Sequence, residues 1–106
     1  MILKYGAEID NSAIDKNLNR ITNQIYKLLP SREEKSDWQK PLTTIIEELA
    51  GMDRMLFDQH DILFPLLCKL EGLLILTQPE DFYMFRITIF ECLSLMSNLK
   101  KNLCQD

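Results

Sequence analysis

Apolar residues recur every three or four positions along most of this 106-residue chain, and that period constrains the fold more than any other feature. Ile14, Leu18, Ile21, Ile25 and Leu28 are spaced by four, three, four and three, with Asn and Lys residues between them. An α-helix turns once in about 3.6 residues, so this spacing gathers the apolar side chains on one face. It predicts a first helix over residues 12–29, capped by Asn11 or Ser12 and stopped by Pro30, because the residue before a proline disfavours the helical region.

Ser31 to Asp37 has no apolar residue and reads as the first loop, with Ser36 and Asp37 as caps for the next helix. Trp38, Leu42, Ile45, Ile46, Leu49, Met52 and Leu56 then continue at helical spacing, with Pro41 tolerated in the first turn and Glu47 and Glu48 facing away. This predicts a second helix over 38–57. Asp58 to Asp61 is a polar break in which Asp61 caps a third helix, 61–76, with Pro65 near the end of its first turn. Thr77 to Asp81 combines a cap, a proline suited to the first helical position and two acids, a strong start signal for a fourth helix over 79–103. Its stripe is Phe82, Phe85, Ile89, Cys92, Leu93, Met96, Leu99 and Leu103.

Composition supports the period. Val is absent, Gly and Pro are sparse, and Leu and Ile supply most of the apolar residues. Leu, Met, Lys, Glu and Gln keep rotamer freedom in a helix, whereas a β protein needs β-branched residues and turns. The expected fold is all-α: one domain, an antiparallel up-down four-helix bundle with an extended arm over residues 1–10.

The third helix breaks the amphipathic pattern. From Ile62 to Leu76 the only charges are Lys69 and Glu71. A bundle helix buries a stripe somewhat over about 100° wide, so Leu63, Leu66, Leu67, Leu70, Leu73, Leu74 and Leu76 cannot all face one core. The run is about fifteen residues and contains Pro65, short of the roughly twenty needed to cross a bilayer. No membrane partner is therefore expected. The surplus suits a C2 homodimer, and Leu63, Leu66, Leu67, Leu70, Gly72 and Leu74 are the interface candidates. Gly72 in a helix suggests close approach of another backbone. A different protein partner, or a cover formed by Met1, Ile2, Leu3 and Tyr5 of the arm, would answer the same surplus.

Catalytic constellations fare poorly. His60 is the single histidine, and its one possible nucleophilic partner, Cys68, lies eight residues on, about two helical turns or roughly 12 Å away. Glu47, Glu48 and Asp53 lack the i, i+3 or i, i+4 repeat on which helical metal sites are built, and no Glu-x-x-His pair exists for di-iron chemistry. Gly6, Gly51 and Gly72 are too far apart for a phosphate loop. Neither a catalytic residue nor a metal or cofactor site is expected. Glu71 and Glu91 read as partners for Lys69, Arg86 or Arg54 in buried pairs that set helix register. Trp38, Phe64, Phe82, Tyr83 and Phe90 read as core or interface filler.

Sixteen acids against twelve bases leave a charge of −4 with both signs dispersed, which argues against nucleic acid as a partner. The one adjacent basic pair, Lys100-Lys101, suits the carbonyl end of the last helix. Cys68, Cys92 and Cys104 are odd in number, and the first two fall on apolar faces, so they read as reduced core thiols. With no signal-peptide pattern at the start, a cytoplasmic setting is expected. The functional expectation is a non-catalytic protein–protein interaction module, a homo-oligomeric adaptor, regulator or inhibitor of a larger protein. The alternative is a small structural or assembly component, comparable in size to accessory proteins of phages and mobile elements, and the least favoured reading is a carboxylate-dependent helical-bundle hydrolase.

Overall fold

The computed structural model describes residues 11–34 and 37–103, and it is all-helical, with no strand among the described residues. The arm expected over 1–10, the caps expected from the Asn11 or Ser12 side chains and from Ser36, and Cys104 lie outside what is described. Four helices follow one another: α1 (Asn11–Glu33), α2 (Gln39–Met55), α3 (His60–Leu73) and α4 (Phe82–Leu103). Short 3-10 turns, Phe57–Gln59 and Pro79–Asp81, lead into α3 and α4. α1 packs on α2 and α4, and α3 packs on the same two helices.

The predicted stripes meet in one core. Leu18, Ile21, Ile25 and Leu28 of α1 pack with Leu42, Ile45 and Leu49 of α2, Leu63, Leu66, Leu70 and Leu73 of α3, and Phe85, Ile89, Cys92, Met96 and Leu99 of α4. Among the described residues none that is polar or charged is buried, so apolar burial drives the association of the helices. Ion pairs staple the rim. Lys100 Nζ of α4 lies 3.2 Å from Asp15 and donates to Asn19 at 2.9 Å on α1, so this lysine bridges two helices rather than serving the helix end alone. Arg20 of α1 grips Glu48 of α2 with both guanidinium nitrogens, at 2.6 and 3.3 Å. That hydrogen bonding raises the guanidinium pKa further, and it corrects the reading of Glu48 as facing away.

Pro30 does not stop α1. The helix runs through it to Glu33, and the Glu34 amide donates to the Pro30 carbonyl at 2.9 Å. The missing N–H costs one ladder bond, which the contacts of the following turn offset. Arg32 in that turn donates from Nη2 to the carbonyls of Leu76 at 2.8 Å and Gln78 at 2.7 Å. Its guanidinium carbon lies 4.8 Å from the centre of the Phe85 ring, 5.4 Å from Phe82 and 5.9 Å from Trp38. Trp38 in turn meets Phe85 edge-on, ring centres 5.1 Å apart. The stretch read as a loop thus carries the residue that ties α1 to the α3–α4 connection.

The other boundaries shift for local reasons. α2 ends at Met55 rather than Phe57, where the Leu56 backbone leaves the helical region. α3 starts at His60 and so takes Asp61 inside, leaving Pro65 beyond the first turn. It ends at Leu73 rather than Leu76, because Leu74, Ile75 and Leu76 donate to carbonyls three residues back and tighten the chain. Ile75 in that turn is exposed, and the Leu76 and Gln78 carbonyls beyond α3 are the two that Arg32 takes. Before α4, Asp81 accepts from the Gln78 amide at 3.1 Å and donates its own N–H to the Gln78 carbonyl at 2.9 Å, so the start signal builds a 3-10 turn over Pro79–Asp81 and α4 itself begins at Phe82 rather than at residue 79.

Among the described residues no atom lies within 4 Å of where a Cβ on Gly72 would stand, so none of their backbone approaches it closely. Gly72→Ala is therefore expected to raise stability by about 0.5–1 kcal/mol through lower unfolded-state entropy. A shift of the urea midpoint measures it.

Candidate functional site

The structure divides the interface candidates of α3 into two groups. Leu63, Leu66 and Leu70 are fully buried among the other helices, so they are core residues with no surface to offer a partner. The physical reason is that α2 and α4 flank α3 on both sides and absorb most of its circumference. Leu67 and Leu74 are partly buried, packed against the rim of the core beside Ile62 and Leu76. Gly72 is half-buried and open.

The exposed apolar surface lies elsewhere on the same two helices. On α3 and its C-terminal turn, Phe64 and Ile75 face solvent, Ile75 at 79% exposure. On α4, Tyr83 (70%), Ile87 and Phe90 are exposed at spacings of four and three, which makes a second apolar stripe on the side opposite Phe85, Ile89, Cys92 and Met96. Met84 stands beside it. The guanidinium of Arg86 lies over the Phe90 ring, 5.7 Å from its centre. In the sequence Phe64, Tyr83 and Phe90 read only as core or interface filler, and the inward stripe of α4 dominates its pattern. The outward one was visible in the spacing of Tyr83, Ile87 and Phe90, within a helix apolar on two faces.

The other candidates make contacts between helices. His60 Nδ1 lies 2.8 and 3.1 Å from the two Asp53 carboxylate oxygens, with its ring 5.3 Å from that of Phe64, and so joins α2 to α3 across the break. Lys69 meets Glu91 at 3.3 Å, one of the pairings expected, but the pair is open to solvent rather than buried. An exposed pair of this kind contributes at most about 1 kcal/mol. Glu47 and Glu71 are exposed, Glu48 and Glu91 are held by their cationic partners, and the four carboxylates do not converge. Among the described residues no group of three or more His, Cys, Asp or Glu could hold a metal ion.

The two described cysteines are unlike each other. Cys92 is buried, as read, and burial pushes its thiol up to about 12, with the nearby Lys69 charge pulling the other way. Cys68 is exposed on the outer face of α3, against the expectation of a core thiol. Because the thiolate is the nucleophile and Cys92 stays protonated below its raised pKa, iodoacetamide at pH 8 is expected to label Cys68 and spare Cys92. Peptide mass mapping reads this, and equal labelling of both would contradict the packing of α4.

Among the described residues no helix is long and apolar enough to cross a membrane. No family model, curated protein or solved structure matches the chain.

Proposed function

We propose that this protein is a non-catalytic interaction module of the adaptor or regulator class, and that it works as a homo-oligomer through the outer faces of α3 and α4. The observation that carries the reading is an asymmetry. Six large apolar side chains are exposed on α3, its C-terminal turn and α4, against Tyr26 on α1 and Met55 on α2. Soluble monomers rarely expose contiguous apolar patches beyond a few hundred Å², and larger ones mark contact sites.

The arrangement proposed for the helices is an antiparallel up-down bundle. Contacts at both ends support it: Asp15 near the start of α1 pairs with Lys100 near the end of α4, while Arg32 near the end of α1 lies on Phe82 and Phe85 at the start of α4. Likewise Arg20 pairs with Glu48, and Arg32 lies against Trp38 just before α2. In that arrangement α3 and α4 lie side by side and their outer faces form one surface. The exposed thiol of Cys68 favours a reducing, cytoplasmic setting.

Phe90→Asp tests the reading. The side chain lies outside the core, so helicity by circular dichroism is expected to be unchanged while light scattering shows the associated wild type reduced to a single chain. Unaltered association of Phe90→Asp would move the contact off this surface.

A further inference from the structure

We infer that the occupant of this surface is a second copy of the chain, related by a twofold axis parallel to the helices, so that α3 of each copy lies on α4 of the other. The inference rests on the reading of the surface as a contact site, and it is carried by the charges that border the apolar side chains.

The two outer faces carry opposite charge. Asp61 and Glu71 are exposed on α3, and Arg86 and Lys101 are exposed on α4. Among the described residues no ion pair engages any of these four. Of the other charges on these helices, Lys69 of α3 is paired with Glu91 of α4, and Lys100 of α4 with Asp15 of α1. One face is thus apolar with acids, its neighbour apolar with bases.

Levels along the axis match as well. Gln59 just before α3 meets Asn102 of α4, and Lys69 meets Glu91. Asp61 therefore falls level with residues 99–100 and Glu71 level with residues 89–90. At about 1.5 Å of rise per residue, Lys101 lies roughly 2 Å along the axis from Asp61, and Arg86 roughly 5 Å from Glu71. Long Lys and Arg side chains span such offsets.

A twofold axis lying in the contact plane has two settings. Parallel to the helices, it keeps levels and exchanges sides, so Asp61 meets Lys101 of the second copy and Glu71 meets its Arg86, each twice. Perpendicular to the helices, it sets α3 on α3 and α4 on α4, acid against acid and base against base. Like charges opposed across an interface are penalised, so the first setting is selected. Tyr83 and Ile87 of one copy then face the level of Ile75 in the other, and apolar surface is buried between the charged rows.

Paired charge reversals test this. Glu71→Arg and Arg86→Glu, each alone, place like charges at both symmetric contacts and are expected to weaken the dimer at least about tenfold. An equimolar mixture of the two restores opposite charges at both contacts and is expected to form a mixed dimer as tight as the wild type. Asp61→Lys with Lys101→Asp repeats the pattern at the second pair without touching Phe90. Sedimentation equilibrium with one variant fluorescently labelled reads association, and circular dichroism reads the fold. Single variants that associate like the wild type, or mixtures no tighter than the single variants, overturn the orientation; the contact reading itself then stands if Phe90→Asp still dissociates the dimer. A wild-type chain that stays single at every concentration overturns the second copy as occupant.

Discussion

Phe85→Ala is expected to lose about 4 kcal/mol of folding stability, the largest effect of any single truncation in this chain. The ring is fully buried, the bulkiest of the fully buried side chains, and it meets Trp38 edge-on while the Arg32 guanidinium covers it. Truncation removes the transfer free energy of the ring and leaves a cavity that a close-packed core fills only in part. Aromatic and cation–π contacts of the order of 1 kcal/mol each go with it. Against a total stability of about 5–15 kcal/mol, that leaves a marginal protein. Urea unfolding followed by circular dichroism measures it: the midpoint falls steeply while the slope stays constant. A loss below about 1 kcal/mol would mean that α4 does not pack with this face inward.

Arg32→Ala is expected to cost about 2–3 kcal/mol, far above the few tenths usual for a partly exposed polar residue. Two carbonyls, of Leu76 and Gln78, lose their donor, and one face of the Trp38, Phe82 and Phe85 group is uncovered. Hydrogen bonds from a charged donor contribute about 1.5–3 kcal/mol, and the Leu76 carbonyl in the α3–α4 connection adds its desolvation, while that of Gln78 keeps the Asp81 N–H. Arg32→Lys recovers less than half, since an ammonium cannot lie flat over the rings and reach both oxygens. The guanidinium Nε is buried without a partner among the described residues, a local cost that the other contacts outweigh. Stability equal to wild type in Arg32→Ala would make the α1 end a passive tail.

Much of the architecture was legible in the period of apolar residues. Four stripes, their order and nearly all of the core residues follow from spacings of three and four, since a helix in water is held mainly by tertiary burial of its stripe. What was not legible depended on distance in space. Pro30 looked like a terminator because a proline signal is local, whereas Arg32 is anchored by carbonyls more than forty residues further along the chain. The end of α3 falls short of the apolar run because Leu74, Ile75 and Leu76 are apolar in either state, and only the tightened turn distinguishes them.

An exposed apolar surface was legible in kind, and the residues that form it differ from the run that suggested it. An apolar excess in 62–76 is real, yet two neighbouring helices take Leu63, Leu66 and Leu70 into the core, and what remains outside on α3 and its C-terminal turn is Phe64 and Ile75. The larger share of the exposed surface comes from α4, where inward and outward stripes overlap in sequence and only burial separates them. Charge offered a further cue. Asp61 and Glu71 on one helix, Arg86 and Lys101 on the next, are dispersed in sequence and become two opposed rows only when α3 and α4 stand side by side.

The central claim is that the outer faces of α3 and α4 hold a second copy of the chain. Sedimentation equilibrium of the unaltered protein across a hundredfold range of concentration tests it most directly. The account predicts a reversible rise from the mass of one chain to the mass of two, with the transition moving to higher concentration as salt screens the charged rows. The mass of one chain throughout would contradict it.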